Sequence, residues 1–263
     1  MIAFLFLCLV LHTAAPSLIL DRDADQNEYP FIVALESCDT PVCFPVCGGV
    51  VLSKSWILTL GTCAYDAVYY NLRVNAGAVN LSSPDAQLRE IEKAVLHPDS
   101  DNFQPFSPNN IALLKLKTPL HLGDSVQPGV LPKQGSDVSL GHVTHLGWFI
   151  INDGRGYPMS IENLETAETD IIDYDLCMAV VEPSLDYKFP DIAQTFCTGD
   201  FTGRDDLCFI NEGTPVLQDG VVVGLYYYTT LGCRVMGSTI LTLKTGSYIS
   251  WIQENIDEDI TLA

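Results

Sequence analysis

The sequence predicts an all-β protein closed by a C-terminal α-helix. Three observations carry the prediction. Short runs rich in β-branched, Leu and aromatic residues recur from Phe31 onward, and Gly, Pro, Asn and Asp punctuate them. Near the end, Ser247 to Ile256 places apolar side chains at helical spacing. Many short strands separated by turn signals point to a barrel or a sandwich.

The chain opens on Met1 to Leu11, apolar apart from Cys8, followed by the small residues Ala14, Ala15 and Ser17. That stretch lacks a positive start but is too short to span a bilayer, so residues 1–17 are expected to be a removed signal peptide and 18–263 the mature domain. No other segment reaches spanning length, and the polar end at Glu258-Asp259 lacks the apolar tail of a lipid-anchor signal. The expected location is therefore extracellular, with no integral membrane segment after signal removal.

The strand candidates follow in order: Phe31–Leu35, Gly49–Leu52, Trp56–Thr59, Ile111–Leu116 and Val221–Tyr226, with the helix over Ser247–Ile256 after them. No internal repeat, low-complexity tract or linker divides them. At 263 residues the chain has room for two average domains or one two-barrel unit. Hydrophobic content of 48% against 17% charged marks it as globular. Lys and Arg number 13 against 33 Asp and Glu, a formal charge of −20. A field of that sign repels nucleic acid and favours basic protein partners, although a merely solvated acidic face would give the same count. Without Cys8 the nine cysteines leave an even eight, which after a secretory signal reads as disulfides. No CxxC or Cys/His cluster has zinc spacing, and no metal or cofactor is expected.

Five motifs add a family resemblance that covers nearly the whole mature chain. Cys47-Gly48-Gly49 followed by Trp56-Ile57-Leu58-Thr59-Leu60-Gly61-Thr62-Cys63 resembles the CGG…WVLTAAHC segment of trypsin-like serine proteases. Asn110-Ile111-Ala112-Leu113-Leu114 resembles their DIALL segment, Leu146-Gly147-Trp148 their SGW strand, and Tyr248-Ile249-Ser250-Trp251-Ile252 their closing helix. Cys208 to Val216, with Gly213 and Pro215, resembles the nucleophile turn C-x-G-D-S-G-G-P. Each is weak alone; their order and spacing are not. The resemblance implies two six-stranded antiparallel β-barrels. It also implies the pairs Cys47–Cys63, Cys177–Cys197 and Cys208–Cys233. Val143 and Gln218 stand where many relatives carry a further bridge. Cys38 and Cys43 remain, read as a local bridge in preference to sites of intermolecular bonding.

The reaction of that family needs a hydroxyl nucleophile, an imidazole base and an orienting carboxylate. The matching positions here hold Glu212, Thr62 and Asn110. Thr is no general base near neutral pH, Asn carries no charge, and nothing in the sequence activates Glu212 as a nucleophile. The matching oxyanion position is Ile210, whose β-branched side chain disfavours close approach and positive φ. Activation in the family pairs a freed ammonium with the Asp before the nucleophile; here Asn211 stands there, and Ser17 rather than Arg or Lys precedes Leu18. His97, His121, His142 and His145 remain in the mature chain, but the resemblance puts His97 in a surface turn and His142 and His145 far from the nucleophile turn.

Asp206 points the other way, since it matches the base of an Arg/Lys specificity pocket. Thr230 and Ile240 replace small wall residues there, and Asp205 makes a solvated acidic pair the plainer reading. Asn80-Leu81-Ser82 is a glycosylation sequon in a loop, 78–84. The sequence therefore predicts a secreted, inactive serine protease homologue that binds protein, with the reproductive tract as the setting the resemblance implies. The alternatives are an unorthodox Arg/Lys-preferring peptidase and a decoy for protease inhibitors.

Overall fold

The computed structural model describes residues 22–38, 43–100, 108–148, 150–152, 158–160, 163–181, 194–199, 211–229 and 239–263. The N-terminal half runs β1 (Arg22–Asp23), β2 (Ile32–Ser37), β3 (Phe44–Val51), β4 (Trp56–Thr59), α1 (Gly61–Tyr69), β5 (Arg73–Ala76), β6 (Gln87–Leu96) and β7 (Ala112–Leu116). Strands β2, β3, β4, β7, β6 and β5 form a closed barrel in that order. It closes because β2 pairs on both edges: Val33 faces Gly49 of β3 and Ala76 of β5. Continuous apolar runs such as Ile32–Leu35, Trp56–Leu58 and Ala112–Leu114 are buried throughout, as strands covered on both faces require.

The second half runs β8 (Val130–Leu131), β9 (His142–Gly147), β10 (Ile150–Asn152), β11 (Pro158–Ser160), β12 (Glu165–Ile172), α2 (Tyr174–Val181), β13 (Thr195–Thr198), β14 (Pro215–Gln218), β15 (Val221–Thr229) and β16 (Ile240–Lys244). It ends with α3 (Ile249–Asn255) and β17 (Thr261–Leu262). Strands β12, β13, β16, β15, β14 and β9 follow one another, and β9 pairs back onto β12, which closes a second six-stranded antiparallel barrel with β1 added outside. Val143, Ala167, Phe196, Val216, Tyr226 and Ile240 pack inside it. The two barrels are joined at Val79, whose carbonyl accepts from the indole of buried Trp148 at 3.1 Å and from the Leu164 amide at 2.8 Å.

The expected terminal helix is present but starts later, after a single 3₁₀ turn at Thr245–Ser247. Beyond its end Asp257 accepts from the Trp56 indole at 2.6 Å and from Lys115 Nζ at 2.8 Å, so the helix is docked on the first barrel. Disulfides join Cys47 to Cys63, Cys177 to Cys197 and Cys38 to Cys43. The Cys208–Cys233 pair, the signal peptide 1–17, Asp206, Ile210 and Thr230 lie outside the described residues. Among the described helices none is long and apolar enough to cross a membrane.

Candidate functional site

Thr62, Asn110 and Glu212 lie on three separate elements, and the fold brings them into contact. Thr62 is the second residue of α1, whose N-cap, Leu60, has no side chain able to cap it. The first amides of a helix lack intrahelical acceptors. Asn110, fully buried just before β7, supplies one: its Oδ1 accepts from the Thr62 amide at 2.9 Å. Its Nδ2 lies 3.5 Å from Thr62 Oγ1, and that hydroxyl donates to Glu212 Oε2 at 3.2 Å across a sequence separation of 150. Amide, hydroxyl and carboxylate thus form one hydrogen-bonded chain.

Close packing fixes the Glu212 end. The Gly48 amide donates to the Glu212 carbonyl at 2.7 Å, and Cys47 bridges Glu212 in parallel. A Cβ on Gly48 would come 2.3 Å from Thr214 Cγ2 and 2.9 Å from its Cα, so only glycine lets the turn sit there. Gly213 has φ +81° and lies against the Gly48 carbonyl and Thr59 Oγ1, so it too has no room for a side chain. The disulfide Cys47–Cys63 then holds α1 against the same strand. These contacts explain the local sequence: the CGG run, the cysteine pair and the glycine of the turn all serve backbone approach.

Electrostatically the site is acidic and poorly solvated. Burial pushes the Glu212 carboxyl above the usual range; the Thr62 hydroxyl opposes the shift, and the negative charge of Asp66 adds to it. Asp66 lies one helical turn beyond Thr62, and burial raises its carboxyl as well. Asn211 is buried, with Nδ2 3.3 Å from the Pro45 carbonyl, while its Oδ1 meets no donor among the described residues.

None of the described histidines supplies a base to this chain. The His97 ring packs against Tyr248 and Trp251. His142 Nδ1 meets the Asp170 carboxylate at the surface, 2.7 Å away. The His121 amide donates to Gln87 Oε1. His145 is nearer the turn in strand register than expected, opposite Val216. Its ring, however, is fully buried with Nε2 3.0 Å from Thr198 Oγ1, and burial lowers its pKa to about 3. What the three-residue chain offers chemically is a largely buried carboxyl that one hydroxyl donates to, with no imidazole bonded to it among the described residues.

For a metal, the described residues bring together a single group of three ligand-type side chains, Glu36, Cys38 and Cys43, and its two sulfurs are joined in a disulfide. Asn80 lies at the barrel junction. Its Nδ2 donates to Asn163 Oδ1 at 2.8 Å and its Oδ1 accepts from the Ser82 amide at 2.9 Å, so a glycan on Nδ2 would change the bond to Asn163.

Sequence reasoning missed the surroundings of this chain. Asp66 and the aromatic outer face of α1 were legible only as the run Tyr65-Asp66-Ala67-Val68-Tyr69-Tyr70, which has no motif to mark it.

Comparison with known proteins gives this geometry its context. The family described as Trypsin matches residues 19–252. The chain is 29% identical over 235 residues to snake venom serine protease 2B of Craspedocephalus gramineus, covering 89% of this chain and 85% of that protein. It is 27% identical to Vaa serine proteinase homolog 1 of Vipera ammodytes ammodytes, covering 91% and 87%. Among solved structures, neuropsin, a serine protease expressed in the limbic system of mouse brain, superposes with a TM-score of 0.75 at 23% identity, over 90% of this chain and 99% of that one.

Proposed function

The chain belongs to the trypsin family, and from that premise we propose that it is a secreted serine protease homologue without peptidase activity, working by protein binding. The observation that carries the reading is the Asn110–Thr62–Glu212 chain. It occupies the three positions that the family resemblance assigns to catalysis, and it contains no imidazole to take a proton. Two of the three side chains are tied to structural tasks: Asn110 caps α1, and Thr62 solvates a buried carboxylate. The relatives named as homologues, such as those of Vipera ammodytes ammodytes and Macrovipera lebetinus, accord with loss of chemistry on a retained scaffold.

Secretion is supported by the apolar stretch read as a signal peptide over 1–17, ahead of a domain read over 18–263, and by disulfides of the kind that persist in oxidising compartments. Asn80 is the expected glycan position. The partner is a basic protein, because a chain carrying −20 attracts positive charge over a distance of about a Debye length and repels its own sign. Titration of the purified mature chain with a basic and an acidic protein, by calorimetry at two salt concentrations, tests this. Saturable binding of the basic protein that weakens with salt is expected. Equal affinity for both, or none for either, would overturn the assignment of a basic partner.

A further inference from the structure

Helix α1 faces solvent with aromatic rings. Its inner side is made of Gly61, Cys63, Ala64 and Ala67, all buried, which lets the helix lie close to the barrel. The outer side of an amphipathic helix is ordinarily polar. Here it carries Tyr65, Val68 and Tyr69, at 38%, 61% and 69% exposure, and Tyr70 follows at 52%. The rings are ordered against one another: Tyr65 stacks on Tyr69 with centroids 5.8 Å apart and planes 11° from parallel, and Tyr70 meets Tyr69 edge-on at 4.9 Å. A cluster of exposed, mutually packed aromatics of this kind marks an interaction surface rather than scattered surface apolarity. Tyrosine also makes contact area at small entropic cost, and these rings are already held in place.

Two carboxyls flank this face: Asp66 follows Tyr65 on α1, and Glu212 accepts from the Thr62 hydroxyl in the first turn of the same helix at 3.2 Å. Residues 61–72 contain no Lys or Arg, and Arg73 is held by the Glu36 carboxylate at 2.9 Å. Ring faces carry negative potential that attracts guanidinium and ammonium groups, and two carboxyls beside them attract the same groups. The planar guanidinium satisfies both, stacking on a ring while bonding a carboxylate in plane.

We propose that the outer face of α1, Tyr65, Val68, Tyr69 and Tyr70 with Asp66 and Glu212 at its base, is the docking surface for an arginine-bearing segment of the partner protein. The proposal rests on the reading of the chain as a binder of basic protein and names where that binding happens. The stems of basic side chains cover the rings, and their charged ends reach the carboxyls.

The experiment measures fluorescence anisotropy of a labelled twelve-residue Arg-Gly peptide, with a Glu-Gly peptide of equal length as control, against the full mature chain. Variants Tyr69→Ala and Asp66→Asn alter exposed or half-exposed side chains of the face, and Glu254→Gln, exposed on α3, controls for net charge. Each α1 variant is expected to weaken the Arg-Gly peptide about five- to tenfold, with Glu254→Gln within about twofold of the native chain. Native binding that is unchanged in the α1 variants, or reduced equally in all three, would overturn the assignment of the surface while leaving a basic partner in place. No native preference for the Arg-Gly over the Glu-Gly peptide would overturn the basic-partner reading itself. Unchanged thermal midpoints in the three variants confirm that folding is not what the anisotropy reads.

Discussion

Glu212 is the residue on which the site turns. Its carboxyl accepts from the Thr62 hydroxyl, and burial, with a smaller repulsion from Asp66, raises its pKa in the folded chain above the unfolded value of about 4.5. A group raised in this way favours folding fully below the unfolded value and loses that contribution as pH rises through the folded one. Glu212→Gln is therefore expected to stabilise the chain at pH 7 and to leave it nearly unchanged at pH 4, read as a shift in urea midpoint. His145 works in the opposite sense. Its pKa falls from 6.5 to about 3, so its neutral burial is without penalty above pH 6.5 and destabilises progressively as pH falls toward 3. His145→Leu is expected to flatten that acid limb of the urea-midpoint curve, whereas a limb identical to the native one would show that the imidazole does not titrate between the two states. At this scale the sequence displayed the identities of Thr62, Asn110 and Glu212 through the motifs around them. The influence of Asp66 on Glu212 was hidden, because the fold brings their charges to act on one another across 146 positions of the chain.

Among the elements, α1 determines how the site is presented. It is short, it begins at Gly61 without a side-chain cap of its own, and it is pinned by the Cys47–Cys63 bridge and by Asn110. Asn110→Ala removes the acceptor of the Thr62 amide in a buried place and is expected to cost about 1–2 kcal/mol of stability, checked by denaturant unfolding. A cost near zero would mean that Asn110 does not cap the helix. The strands rich in Val, Ile and Leu were legible, and β4 matches its sequence expectation over Trp56–Thr59. Helix α1 was not, because Thr, Cys, Tyr and Val are poor helix formers and its stability comes from tertiary contacts. Strand β6 was missed for a related reason: Gln87–Leu96 carries four charged residues on a barrel wall half open to water.

At the scale of the whole molecule, two closed barrels carry the trypsin-family scaffold, and the proposed loss of peptidase activity rests on Thr62, Asn110 and Glu212 standing at the positions that the resemblance matches to catalysis. The architecture, both six-stranded barrels included, was legible through the family resemblance that five short motifs carry; local pattern alone stops short of closure, which depends on the long-range pairing of β5 on β2 and β9 on β12. The acidic balance was legible too, but not the helix on which its charge meets exposed rings. Function at this scale comes down to whether the scaffold turns over peptide. The direct measurement is hydrolysis of Arg/Lys and aromatic peptide substrates by the purified mature protein beside a Glu212→Ala variant. The account predicts no turnover by either; turnover by the native chain that disappears in Glu212→Ala would contradict it and make Glu212 a catalytic residue.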